Sequence, residues 1–135
     1  MTKNLLVLLA ASLLAAACAA LQGGAGKGPP CTTHVCQVTV RVDAACRISV
    51  DPVDLPVDAN NKNAVIQWDL TGGEFAQGGI AFKQAVGDEF HSWSHSPKRI
   101  TVVDRHTRTG VIYHYGVRVM QGARACPTLD PTIMN

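Results

Sequence analysis

The chain has 135 residues, of which 12 are Lys or Arg and 10 are Asp or Glu, so its formal net charge is +2. This near balance does not indicate the strongly basic surface that is typical of nucleic-acid binding, so nucleic acid is not an expected partner. The length suits one ordinary domain preceded by a short leader.

Residues 1–20 have the pattern of a signal peptide. Lys3 precedes an apolar run, residues 5–17, which contains only Leu, Val, Ala and Ser and is too short to cross a bilayer. The small residues after it suit ordinary signal peptidase, whereas residues 13–18 resemble a bacterial lipobox, in which cleavage precedes Cys18 and that cysteine is lipidated. Both modes of cleavage stay open. We therefore expect an exported protein that is periplasmic, held at the outer membrane by a lipid, or secreted.

Residues 21–32 are predicted to be a flexible linker, because the part from 22 to 30 has no large apolar side chain to hold it against a core. If Cys18 is lipidated, this linker holds the domain off the membrane, and the lipid is the expected membrane contact. Residues 33–135 are predicted to form a single β-sandwich domain.

Four cysteines are left when Cys18 is set aside: Cys31, Cys36, Cys46 and Cys126. An even number in an exported chain is expected to pair into two disulfides, and the sequence does not rank the three possible connectivities. The pair at 31 and 36 is spaced too widely for a thioredoxin-like redox motif, which separates its cysteines by two residues. A disulfide at the head of the first strand is the favoured interpretation.

The first predicted strands alternate apolar and polar residues. Residues 35–42 show the cleanest alternation of the chain, and residues 46–51 resume it after a short break, so the two segments suit a hairpin. Pro52 and Pro56 prevent regular pairing at residues 53–57, which we expect at an edge or in an irregular crossing.

The middle of the chain contains one strong strand and one segment without a clear period. Residues 64–70 alternate, and Trp68 is the predicted centre of the core. Residues 78–82 are predicted to form another short strand. Residues 84–98 show little periodicity, and residues 99–103 form the predicted penultimate strand.

The stretch from 110 to 120 is the predicted organising strand, entered through a polar loop at 104–110. Its inward face carries Tyr113 and Tyr115, which are therefore core residues before they are ligand contacts. Gly116 lies on the opposite face, where the missing side chain allows a neighbouring chain to approach closely.

Six or seven short strands without intervening helices predict an all-β fold, an antiparallel two-sheet β-sandwich of the immunoglobulin-like kind with about seven strands. A small barrel is the second choice. The motifs, in order, are Cys-x-Val-x-Val at 36–40, Cys-x-Ile-x-Val-Asp-Pro at 46–52, Ile-x-Trp-x-Leu at 66–70, Asp-x-His at 104–106, Tyr-x-Tyr-x-Val-x-Val at 113–119 and Leu-Asp-Pro-x-Ile-x-Asn at 129–135. This order resembles small exported proteobacterial β-sandwich proteins that lack a described activity. The resemblance implies a sandwich and nothing about chemistry.

His91 and His95 are the candidate metal ligands. Two imidazoles four residues apart chelate one metal when they lie on a helix. The intervening Ser-Trp-Ser and the following Pro97 make a helix doubtful, so an exposed loop is the favoured interpretation. A metal-binding periplasmic protein that uses both histidines is the alternative function.

A local cationic run is the candidate anion-binding site: Lys98, Arg99, Arg105 and Arg108, together with His106. A solvated loop is the favoured interpretation of this run. The sharper hypothesis is a weak site for anionic envelope components, which would strengthen as the histidine is protonated.

An enzyme is not expected, because the chain has no Gly-x-Ser-x-Gly elbow. Asp88 and Glu89 would point to opposite sides of an extended segment, so they are interpreted as a solvated acidic turn. No cofactor is expected. The sequence predicts a non-catalytic envelope module, binding or structural, whose partner is an envelope protein or an anionic envelope component.

Overall fold

The computed structural model describes residues 27–135, which form two five-stranded sheets that face each other. The strands are β1 (Val35–Val42), β2 (Ile48–Asp51), β3 (Asp54–Pro56), β4 (Ala64–Thr71), β5 (Glu74–Phe82), β6 (Phe90–His95), β7 (Arg99–Asp104), β8 (Ile112–Gln121), β9 (Arg124–Ala125) and β10 (Thr132–Met134). No helix is found in this part of the chain, and hence none long enough to cross a membrane. The predictions for the signal peptide, Cys18 and the start of the linker lie outside the described residues.

The first sheet has the order β2-β1-β4-β7-β6, and the second has β3-β10-β8-β5 with β9 paired to β8. The predicted all-β, two-sheet fold is thus confirmed. Its pairing is mixed, since β1 runs parallel to β4 and β10 runs parallel to β3. The chain leaves the first sheet after β2, forms β3 in the second sheet and returns as β4 in the direction of β1. Alternation identifies strands but does not encode the direction of their neighbours, so the two parallel pairs were not predicted. The structure also has ten strands rather than about seven.

The core lies between the sheets and is built from the alternating positions of β1, β4 and β8. Trp68 is fully buried, as predicted, and its indole N–H donates to the Tyr115 hydroxyl across the core at 3.1 Å. Tyr113 is buried beside it on the same strand as Tyr115. The indole and one phenol therefore join the two sheets at their centre.

The predicted hairpin and edge segment are both present. β1 and β2 pair in antiparallel fashion, with Val42 opposite Ile48. β3 is the edge strand of the second sheet and ends at Pro56. The prolines thus limit this segment to three residues at an edge, in agreement with their missing donors.

Two disulfides use all four cysteines: Cys31–Cys36 and Cys46–Cys126. The first one lies at the head of β1, as predicted. The second one links the β1–β2 turn to the residue after β9, so it ties the two sheets together at one end. Part of the segment assigned to the linker is also attached to the domain, because the Cys31 N–H donates to the Pro56 carbonyl at 2.8 Å.

The segment 84–98 contains the strand β6, which the sequence did not predict. β6 pairs with β7 as the outer strand of the first sheet. Its register shifts by one residue between His91 and Ser94. Such a bulge breaks the two-residue period, which is why no alternation was visible in this segment.

Candidate functional site

Trp93 lies on the bulge of β6. Between the pairs His91–Val103 and Ser94–Thr101, two residues of β6 face the single residue Val102 of β7. The extra residue is Ser92, whose φ of 54° lies in the left-handed region that side chains rarely adopt. Because the extra residue reverses the alternation, Trp93 turns toward the second sheet instead of away from it.

The indole of Trp93 is held by the core and is nevertheless accessible. Its ring is parallel to that of Trp68, with an interplanar angle of 4° and a centroid distance of 6.5 Å. Phe82 meets it edge-on at 6.0 Å. These are favourable offset and T-shaped geometries, so the ring orientation is restrained. Trp93 remains 46% exposed, which makes it one of three large apolar side chains exposed in the described residues.

A second bulge faces the first one across the open side of the sandwich. Phe75 of β5 pairs with Val119 and Ile80 pairs with Val117, so the four residues 76–79 lie opposite one residue of β8. The His95 imidazole Nε2 lies 3.2 Å from the Ala76 carbonyl oxygen and so bridges the two sheets. We call this feature, residues 76–79 and 91–95, the Trp93 edge.

The polar groups of the Trp93 edge are hydroxyls, an amide and imidazoles. His91 Nδ1 lies 2.8 Å from the Ser92 hydroxyl, and Ser94 is exposed. Residues 91–95 and 76–79 include no Asp, Glu, Lys or Arg. The edge therefore combines a restrained aromatic ring with side chains that both donate and accept hydrogen bonds.

The two histidines predicted as metal ligands are not brought together. They lie on a strand, where four residues span about 13 Å, rather than on the helix that would align them. The bulge also directs them to different sides: His91 pairs opposite the outward-facing Val103, and His95 reaches β5. Within residues 27–135 no group of three or more His, Cys, Asp or Glu side chains is arranged to hold a metal ion.

The four predicted anion-binding cations are split between the two ends of β7, which its six residues separate by about 20 Å. At one end, Lys98 donates to the Gly73 carbonyl and Arg99 pairs with Asp69 at 2.5 Å. At the other end, Arg105 pairs with Asp88 at 3.4 Å. Arg108 lies near the same end, where its backbone N–H donates to the Glu89 carboxylate at 3.3 Å. The structure therefore does not bring these cations into one patch.

His106 and Glu89 occupy positions that differ from the sequence prediction. His106 was expected in a solvated cationic loop but is fully buried, and Glu89 was expected in a solvated turn but is 1% exposed. The Glu89 carboxylate accepts hydrogen bonds from the Thr107 N–H at 2.7 Å and from the Thr107 hydroxyl. The loop after β7 folds onto this carboxylate, which encloses the histidine.

Asp104 completes this buried polar group. Its carboxylate accepts from the His106 N–H at 2.9 Å and from the Asn135 side-chain amide at 3.2 Å. Burial raises the pKa of Asp104. Burial also opposes ionisation of Glu89, but the hydrogen bonds from Thr107 and Arg108 outweigh it and lower the pKa of Glu89. Because Asp104, His106 and Glu89 are enclosed, they secure the loop and the last residue rather than meet a ligand.

The outer face of the second sheet carries a cleft of about 440 Å³. Gly116 forms part of its floor, and a Cβ atom there would lie 3.3 Å from the Thr128 methyl group. The close approach predicted at this glycine is thus present. Lys83 at the rim is neutralised by Asp130 at 2.6 Å, so the cleft is a weaker candidate than the Trp93 edge.

The sequence predicts a candidate site at residues 91–95 because of the two histidines there, not because of the tryptophan between them. The signal for Trp93 was a large aromatic residue between two serines, in a segment where periodicity fails. No family model, no curated protein and no solved structure matches this chain. The Trp93 edge is therefore identified as the candidate site by its geometry and chemistry.

Proposed function

We propose that this protein is an exported, non-catalytic binding module of the cell envelope that engages its ligand at the Trp93 edge. The observation that carries the proposal is the half-exposed indole of Trp93, held against Trp68 and Phe82. A side chain that is already ordered loses little entropy on binding, so a restrained aromatic ring is an efficient contact.

The exported location is supported by two features. Both disulfides are compatible with an oxidising, exported compartment, and residues 1–20 have the composition of a signal peptide. Within that compartment we propose the periplasm or, with Cys18 lipidated, the outer membrane. In the lipidated form the linker carries the domain away from the bilayer.

The non-catalytic character is supported by the placement of the ionisable side chains. The side chains of Asp104, Glu89 and His106, which lie together beneath the loop after β7, are buried. At the accessible Trp93 edge the serines have two imidazoles but no carboxylate near them in residues 91–95. A binding role therefore suits this edge better than hydrolysis, which needs a base oriented by a third group.

The test is co-sedimentation of the oxidised protein with the insoluble envelope fraction of its own cells, with Cys18→Ser in the otherwise wild-type chain and in every variant so that no lipid anchor contributes. Trp93→Ala should release the protein into the supernatant. Ile112→Ala is the matched control, because Ile112 is an equally exposed apolar residue, 49% exposed, on the second sheet. Equal sedimentation of the wild type and Trp93→Ala would remove the Trp93 edge as the binding site.

The location is tested by intact mass spectrometry of the protein with Cys18 retained, recovered from the same envelope fraction. A chain that starts at Cys18 with an acyl mass supports the lipid-anchored form. A chain that starts at residue 18 or later without lipid supports the periplasmic form. A full-length chain that keeps residues 1–20 contradicts export by cleavage.

A further inference from the structure

We propose that the ligand of the Trp93 edge is a neutral saccharide chain, one pyranose ring of which stacks on the exposed indole. This inference rests on the proposed function, since it names the ligand class of the same site. It follows from the size of the exposed ring, from its uncharged polar neighbours and from the irregular strand that carries it.

The indole presents the kind of surface that a pyranose ring covers. The face of an aromatic ring carries partial negative charge, and the C–H groups on one side of a pyranose carry partial positive charge, so the two attract each other. Trp68 and Phe82 restrain Trp93 from the core side. The orientation needed for stacking is therefore present before a ligand arrives.

The segment that carries the ring offers groups that match the hydroxyls of a saccharide. His95 lies on the same side of β6 as Trp93, and Ser92 is the extra residue of the bulge next to the ring. Imidazole and hydroxyl groups both donate and accept hydrogen bonds. β6 also pairs with β7 on one side only, so the backbone N–H and C=O groups on its other side are directed to the open edge. Sugar hydroxyls need partners of this mixed kind.

The absence of Lys and Arg within the edge favours a neutral ligand. Residues 76–79 and 91–95 contain no Lys or Arg to pair with phosphate, sulfate or carboxylate. Of the nearest cations along the chain, Arg99 pairs with Asp69, Lys83 pairs with Asp130, and Lys98 donates to the Gly73 carbonyl. An anionic polymer would therefore meet no Lys or Arg within the edge itself to offset the loss of its hydration.

A protein partner fits this edge less well. Addition of a partner strand requires a regular edge, and the bulge at Ser92 interrupts the spacing of the backbone groups of β6. A stable protein interface also buries about 800 Å² on each partner, far more than one half-exposed indole supplies. A saccharide chain needs no strand register and contacts a smaller area.

The test uses cellohexaose and chitohexaose, two neutral β-linked hexasaccharides, with the oxidised protein. The chain has 2 tryptophans, and Trp68 is fully buried, so protection from acrylamide quenching on ligand addition reports on Trp93. Isothermal titration supplies the affinity. We expect at least one hexasaccharide to bind the wild type and Ile112→Ala, and to bind Trp93→Ala at least about tenfold more weakly.

Two additions keep the result interpretable if Trp93→Ala perturbs the fold. Trp93→Phe keeps an aromatic ring over Trp68 and should bind with an intermediate affinity. Ser92→Ala leaves the ring untouched and should weaken binding several-fold, whereas Ser94→Ala, on the opposite face of β6, should not. Near-ultraviolet circular dichroism of every variant checks that the aromatic core is retained.

Three outcomes would overturn the inference. Hexasaccharide binding that is unchanged in Trp93→Ala would place the saccharide elsewhere. Binding of neither hexasaccharide, together with envelope sedimentation that depends on Trp93 and is lost when the envelope is treated with protease, would identify a protein ligand and leave the proposed function intact. Sedimentation that does not depend on Trp93, without saccharide binding, would overturn both proposals.

Discussion

At the scale of single residues, the buried carboxylates explain how the loop after β7 is held. Glu89 and Asp104 lie beneath this loop, and both accept hydrogen bonds from backbone N–H groups within it. Their environments nevertheless differ, because hydrogen bonds dominate for Glu89 and burial dominates for Asp104. Substitutions at the two sites should therefore change stability in opposite directions.

Glu89→Gln should lower the free energy of unfolding at pH 7 by about 1–2 kcal/mol, because it removes the charge that strengthens the bonds from Thr107. The lowered pKa of Glu89 means that the contribution of its carboxylate is present above the usual value of 4.5 and is lost as the pH falls through the folded-state pKa. Urea denaturation of both proteins as a function of pH measures this difference. Asp88→Asn is the control, since its exposed carboxylate should contribute little.

Asp104→Asn should raise the free energy of unfolding at neutral pH, because an uncharged side chain of the same shape removes the cost of a buried negative charge. Asn keeps an oxygen that accepts from the His106 N–H. Since burial raises the pKa of Asp104, the gain should be present above the folded-state pKa and vanish as the pH falls below the usual value of 3.8. Thermal unfolding between pH 3 and 8 tests this; a loss of stability at pH 7 would contradict it.

At the scale of elements, the regular strand β8 and the irregular strand β6 have different roles. β8 alternates between buried and exposed side chains through most of its length and pairs with β5, β9 and β10. β6 has one bulge, one partner strand and the exposed Trp93. The regular strand thus organises the core, while the irregular one presents a side chain at the surface.

Gly116→Val in β8 should destabilise the protein by about 1–3 kcal/mol, because the new side chain would force the segment around Thr128 away from the strand. Arg118→Val is the matched control: it introduces the same side chain on the same face of β8 at an exposed position. Guanidinium denaturation of the two variants measures the difference. Equal stability would show that the segment moves without cost.

At the scale of the whole molecule, the disulfide Cys46–Cys126 connects the two sheets. Its two cysteines are 80 residues apart in sequence. The disulfide Cys31–Cys36 closes a loop across a separation of 5 residues. In the chain-entropy account, the longer loop restricts the unfolded chain more and therefore stabilises the fold more.

Replacing Cys46 and Cys126 by Ser should lower the free energy of unfolding by about 4 kcal/mol, against about 2 kcal/mol for the same change at Cys31 and Cys36. Urea unfolding of the two double variants under oxidising conditions compares these costs. A larger loss at the short loop would contradict the entropic account and would indicate that anchoring of residue 31 to β3 matters more.

Some elements of this fold can be predicted from the sequence, and others cannot. The positions of β1, β4, β7 and β8 and the burial of Trp68 followed from local alternation, which depends only on neighbouring side chains. β6 was missed because a bulge breaks that alternation. For the candidate site, the segment 91–95 was identified but through its histidines, because the exposure and stacking of Trp93 depend on Trp68 and Phe82 from other strands.

The sequence by itself determined the all-β class, the inward faces of the long strands and the set of cysteines that pair. Each of these follows from composition or from spacing along the chain. Only the tertiary structure decided the parallel pairings, the disulfide partners, the enclosure of His106 and Glu89, and the separation of the four cations. These features depend on contacts between residues far apart in sequence, and no local period of side chains records them.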